Sequence, residues 1–253
     1  MSEADFGVPS EAVAAAERPS PTLVDRLGAL AEVVICSGYP TQLFLLALMT
    51  SVGMRLQTTD GKWSPLFVSV LSLLDTGLVV AFILLFLSSH RERARDVLIG
   101  SAPVAREVVL GLSLMVPILI FASLILVTIF QLAPQLHNVE HNPFEDMLQN
   151  RRDAAIFAIV ATIAGGVREE IQRGFILHRF RHYLGGGSFG LVLYSAIFGL
   201  GHVDQGWDAA ITVATLGAIW GTIYLTRRSI IAPMVSHGGF NLAQLIKYMA
   251  LRQ

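Results

Sequence analysis

Arg168-Glu169-Glu170-Ile171-Gln172-Arg173 decides how this chain is read. Four charged side chains fall within about one and a half helical turns, directly after the stretch 154–167, which carries no charge. A lone Arg or Asp at the centre of a bilayer costs roughly 2.5–3.5 kcal/mol. A helix carrying four charges at membrane depth therefore needs partners, a wet cavity, or both. Two later apolar segments hold candidates, His202 in one and His237 with Asn241 in the other. Glutamates and histidines gathered at that depth point to acid–base chemistry on a membrane-borne substrate.

Composition supports the membrane reading. The chain has 253 residues, 53% hydrophobic and 15% charged, against about 25% charged in soluble domains. The net charge of −1 gives no sign of nucleic-acid binding. Cys36 is the only cysteine, which excludes an internal disulfide and a cysteine metal cluster. Residues 1–21 are acidic and rich in Ala, Pro and Glu, and are expected to form a mobile cytoplasmic tail.

Leu23, Leu27, Leu30 and Val34 recur at helical spacing with Asp25, Arg26 and Glu32 between them, the pattern of an interfacial amphipathic helix. Apolar segments follow at about 40–54, 66–87, 108–132, 154–175, 189–203, 209–224 and 230–250. The expected fold is all-α, a polytopic bundle of about seven spans around an intramembrane polar cavity. Residues 22–150 would hold the interfacial helix and first three spans, and 151–253 the core. Arg91, Arg93, Arg95, Arg106, Arg179, Arg181, Arg227 and Arg228 occupy one set of loops, whereas the other set has Arg55, Lys62, Arg151 and Arg152. Eight basic residues against four place the first set, and the N-terminus, in the cytoplasm.

On a helix, Glu169 and Glu170 stand four and three residues before Arg173, so either can pair with it. Gly165-Gly166 permit a close helix approach or a local break in the backbone ladder. His202 follows Phe198 at i+4, between Gly199, Gly201 and the interfacial Trp207. His237 and Asn241 share one helical face, and both can donate to a developing oxyanion. Asp75, inside the second span, can pair with Arg168, line the cavity or make a plain interhelical contact. His137, Glu140 and His141 have a spacing that suits a metal, but they lie in a polar loop and read as solvated surface; no metal site and no cofactor are expected.

Taken together, Glu169-Glu170 with Arg173, Phe198-x-x-x-His202 and His237-x-x-x-Asn241 resemble, in order, the three motifs of the CPBP family of intramembrane proteases, also called the ABI or CAAX prenyl endopeptidase family. Gly217, Gly221, Tyr224, Thr226, Ser229, Pro233 and Met234 also stand where its members commonly have such residues. The resemblance covers about 154–242. It implies a glutamate-dependent endopeptidase of a bacterial plasma membrane, acting without a bound metal on a membrane-associated, C-terminally CAAX-type peptide. A Glu of the first motif and His202 would activate water, His237 and Asn241 would hold the oxyanion, and Arg173 would orient a carboxylate. The first motif has two residues, not the family's three, between the Glu pair and the Arg. Anchoring on Arg173-Gly174, which the continuation favours, puts Arg168 in the first-Glu position and Glu169 in the second. Anchoring on the pair makes Glu169 the first Glu. The rival expectation is a catalytically degenerate binding or immunity protein of the same fold; a proton pathway through the Glu and His residues is a third.

Overall fold

The computed structural model describes residues 20–140, 142–148 and 150–251. The expected tail, apart from its last two residues, lies outside them, as does His141. All the apolar segments are helical: α1 (Leu23–Ile35), α2 (Tyr39–Ser51), α3 (Pro65–Ser89), α4 (Val104–Leu132), α5 (Arg151–Ala161), α6 (Glu169–Tyr183), α7 (Gly187–Leu200), α8 (Trp207–Arg227) and α9 (Ile231–Leu251). Among the described residues the only β pairing is an isolated bridge between Gln57 and Trp63.

Local chemistry sets several of these starts. Thr22 and Asp25 form a reciprocal capping box at α1. Ser64 caps α3 ahead of Pro65, and Asn150 accepts the Asp153 amide at 2.9 Å to begin α5. Between α1 and α2 the chain bends by 44°, at Gly38, whose φ of 86° favours glycine.

By length and composition, α3, α4 and α8 can cross a membrane, and α1 with α2 can do so only as one bent span. That is three or four candidate spans where the sequence suggested about seven. The difference has physical causes. At ~1.5 Å per residue, α2 and α7 fall well short of a ~30 Å hydrocarbon layer. The stretch 151–183 carries the charged hexad, and α9 carries Ser236, His237, Asn241 and Gln244.

The packing is that of a membrane bundle. Val109, Leu112, Val116, Ile120, Leu124 and Val127 leave one side of α4 apolar and exposed, a face suited to lipid. α1 turns Leu23, Val24, Leu27, Leu30 and Val34 outward and buries Ala29 and Glu32. The inner core joins Val79, Ile83 and Leu87 of α3 to Phe175, Ile176 and Leu177 of α6, with Tyr194, Tyr224 and Ile230.

Two polar ends can be told apart. At one, the loop after α3 meets α6, where fully buried Arg179 bridges Glu32 and Glu92, and His90 and His178 add a contact each to the same two carboxylates. That loop also reaches the α8–α9 junction, through Tyr224 Oη to the Val97 carbonyl (3.0 Å) and the Ile230 amide to the Leu98 carbonyl (2.8 Å). Nearby, Arg227 binds Glu107. The arginine-rich loops thus gather at this end. At the other, His137 meets Asp208 at 2.7 Å and Asn138 accepts the Trp207 amide at 3.0 Å.

Candidate active site

The site is built where α5 runs into α6. Residues Thr162–Arg168 form a π-helix between them, so the backbone ladder changes register just before the Glu pair. Gly165 and Gly166 sit in this segment, and Gly166 lies against Gly238 of α9. A Cβ added at Gly166 would stand 2.7 Å from the Gly238 Cα. Glycine at both positions therefore brings α9, with His237, against the start of α6.

Glu170 is the best-held carboxylate of the group. It is 1% exposed, binds Arg173 one turn on, and lies 2.7 Å from His237 Nδ1. Burying an ion pair is tolerated where its geometry is close and further hydrogen bonds join it, and His237 supplies one. Trp220 of α8 stacks on the His237 ring at 3.8 Å between centroids, with the planes 16° apart. The Trp220 indole N–H donates to Ser236 Oγ at 3.0 Å. The Arg173 guanidinium lies 5.0 Å from the Phe198 ring centre and 5.7 Å from that of Trp220, within cation–π range. Glu170 Oε2 and Arg173 Nε and Nη2 have no partner among the described residues.

Glu169 is placed differently. Its side chain is 16% exposed, and one carboxylate oxygen lies 3.8 Å from His237 Nε2. Among the described residues it forms no ion pair with Arg173, which goes to Glu170 instead. With Nδ1 facing a carboxylate, His237 donates there and turns Nε2 towards Glu169.

Arg168 points away from both glutamates. Its Nη2 lies 3.2 Å from Asp75 of α3 and its Nη1 donates to Gln172 at 2.8 Å. Asp75 is fully buried and also accepts from Thr41 and Gln42 of α2. Of the roles open to Asp75 from sequence, which included a plain interhelical contact, pairing with Arg168 is the one observed.

The structure joins Glu169, Glu170, Arg173 and His237 directly, and His202 and Asn241 less closely. His202 Nδ1 turns back to the Phe198 carbonyl at 2.9 Å, and no hydrogen bond or ion pair links it to either glutamate among the described residues. It reaches the cluster through Phe198, whose ring lies 5.0 Å from its own and under Arg173. Asn241 Nδ2 lies 3.4 Å from the Ala161 carbonyl and closes against Gly165. The described residues form a buried polar cluster with the rings of Trp220 and Phe198 packed beside its charges. Glu169 lies at its more accessible edge. No three His, Cys, Asp or Glu side chains among the described residues are grouped to hold a metal.

Trp220 escaped the sequence reading, which named Gly217, Gly221, Tyr224 and Thr226 on that helix but not the indole between them. The available signal was a Trp in mid-span rather than at the interface, where its indole N–H needs a buried partner.

With this geometry in place, the chain can be compared with known proteins. Residues 151–243 match a family model described as Rce1-like, type II CAAX prenyl endopeptidase Rce1-like. Over this segment the chain is similar to that family. The match spans the π-helix, the Glu pair and both histidine motifs, and agrees with the family resemblance of those motifs. No curated protein and no solved structure gives a significant match. The Rce1-like segment contains every residue of the cluster except Asp75, Thr41 and Gln42, which reach it from α2 and α3.

Proposed function

We propose that the protein is an intramembrane endopeptidase in which Glu169 is the water-activating carboxylate. The observation that carries this reading is the division of labour within the pair. Glu170 is consumed by Arg173 and His237, whereas Glu169 keeps a carboxylate without a guanidinium partner beside the His237 ring. The pair therefore reads with Glu169 as the first glutamate of the motif, the opposite of the anchoring that Arg173-Gly174 favours. Arg168, the residue behind the degenerate reading, has its charge met by Asp75, which leaves that reading without its motive.

In the proposed reaction Glu169, aided by His202, takes a proton from water as the water oxygen attacks the scissile carbonyl. His237 and Asn241 donate to the oxyanion. Collapse breaks the C–N bond, and the proton held on Glu169 passes to the leaving amine. A donor at His237 Nε2 requires an imidazolium. With it, Arg168, Arg173 and His237 match Asp75, Glu169 and Glu170 in formal charge. Glu170 and Arg173 act by holding His237.

The substrate is a membrane-associated peptide cut near its carboxyl end, of the prenylated CAAX type. The chain is an integral protein of a bacterial plasma membrane, with about seven helical segments at membrane depth and its arginine-rich end in the cytoplasm. The test is mass-spectrometric analysis of products from farnesylated peptides with varied C-termini, using wild type, Glu169→Ala and His202→Ala in vesicles. Release of a C-terminal fragment by wild type alone is expected. Equal release by all three, or none by any, removes the proposal.

A further inference from the structure

The endopeptidase reading leaves an arginine beside the proposed base unexplained, and the contacts around it are extensive. Arg168 is 8% exposed and Asp75 is fully buried. Thr41 and Gln42 donate to Asp75, Arg168 donates to Gln172, and Gln172 Nε2 donates to the Cys36 carbonyl at 2.7 Å. The network pins the first turn of α6 to α3, to the start of α2 and to the α1–α2 bend. Gly38 lies against it, since a Cβ there would stand 3.4 Å from Arg168 Nη1.

We infer that Asp75 and Arg168 are positioning residues for the proposed reaction: Asp75 holds the Arg168 guanidinium away from Glu169 and so keeps Glu169 free to act as a base. This rests on the endopeptidase reading and extends it to residues outside the Rce1-like segment. The reasoning is electrostatic. A buried guanidinium without its partner seeks the nearest carboxylate, and a carboxylate paired with Arg is a much weaker base. The charged or titratable groups facing Arg168 and Glu169 are Asp75 from α3, Tyr194 from α7, His237 from α9, and Glu170 and Arg173 of α6 itself. Asp75 and Glu170 are the other two carboxylates, and Glu170 is already taken by Arg173. Glu169 is therefore the carboxylate a released Arg168 would take.

The experiment compares wild type, Asp75→Asn and Asp75→Asn/Arg168→Gln, each as the full chain in vesicles. One readout is peptide cleavage. The other is the rate at which a hydrophobic carbodiimide labels Glu169 at neutral pH, read by peptide mass spectrometry, which needs no activity. Asp75→Asn is expected to lower both by about tenfold or more, since a new Arg contact shifts a carboxylate by ~1–3 pH units. The double variant, which removes both charges, is expected to restore both to within about threefold of wild type, a rescue that damaged packing would not give. Unchanged labelling in Asp75→Asn, or a double variant as impaired as the single one, overturns the inference. If Asp75→Asn does not fold, the double variant decides: wild-type labelling and cleavage support the inference, and a tenfold loss of either contradicts it. If wild type cleaves nothing, the endopeptidase reading falls, while the labelling comparison still decides whether Asp75 shields Glu169 from Arg168.

Discussion

His237 Nδ1 lies 2.7 Å from a Glu170 carboxylate oxygen, and this contact ties the middle of α9 to the first turn of α6. Because Glu170 also binds Arg173 and both are 1% exposed, removing it strands a buried guanidinium. Glu170→Ala is expected to cost about 3–5 kcal/mol of stability. Glu169→Gln, at the accessible edge of the cluster, is expected to stay within about 1 kcal/mol of wild type. Thermal unfolding in detergent separates the two, and equal losses would contradict the division of roles.

Trp220 covers one face of the His237 ring. Trp220→Leu removes that flat surface and is expected to lower kcat by about tenfold while KM changes less than threefold, since the loss falls on orientation rather than on substrate binding. Trp220→Phe, which keeps a ring, should recover most of the rate. A Leu variant with wild-type kcat would show that the stack serves packing alone.

The contact of Gly166 with Gly238 and that of Gly165 with Asn241 predict different outcomes for the same substitution. A methyl at Gly166 meets backbone, so Gly166→Ala is expected to destabilise the protein by about 1–3 kcal/mol. A methyl at Gly165 meets the end of the Asn241 side chain, which can swing aside. Gly165→Ala should therefore fold and lose cleavage. Melting curves and peptide cleavage on the two variants check both outcomes.

Acid should weaken the arginine-rich end. Burial alone would raise the Glu92 carboxyl, but hydrogen bonds and charge from His178 and Arg179 hold it down, to about 2 from an ordinary 4.5. A carboxyl lowered by folding adds stability that is complete above its ordinary value and is lost as pH falls towards the lowered one. Between pH 5 and pH 2 the wild-type protein should therefore lose more of its melting temperature than Glu92→Gln does. Parallel curves would show that Glu92 contributes nothing to acid stability.

The orientation of the bundle can be read with an impermeant maleimide. Cys36 is fully buried, so single cysteines can be added to the native chain. Arg93→Cys, at the arginine-rich end, is expected to label in inside-out vesicles, and Gln135→Cys, near the opposite end, in right-side-out ones. The reverse pattern would invert the proposed topology.

Much of this was legible in the sequence because charge in an apolar helix is costly and therefore conspicuous. Glu169, Glu170, Arg173 and His237 stood out on that ground, and the structure joins them. The all-helical character followed from the apolar segments in the same way. What sequence left open depends on how helices are rotated against one another. Spacing allowed Arg173 to reach either glutamate, and the choice of Glu170 goes with the contacts other helices make, His237 on Glu170 and the Phe198 and Trp220 rings beside Arg173. Asp75 was visible as a buried charge with several possible roles, and only the packing of α3 against α6 selects one. Gly165-Gly166 announced a close approach or a broken ladder without showing that both occur. The stacking of Trp220 on His237 had no counterpart in spacing at all.

The central claim is that Glu169 performs the chemistry while Glu170 maintains the site. It is tested most directly by single-turnover release of the C-terminal fragment from a farnesylated peptide, comparing wild type with Glu169→Gln at matched folded fraction. The account predicts a loss of about 10²–10⁴-fold with the melting temperature kept. Release by Glu169→Gln at the wild-type rate would contradict it.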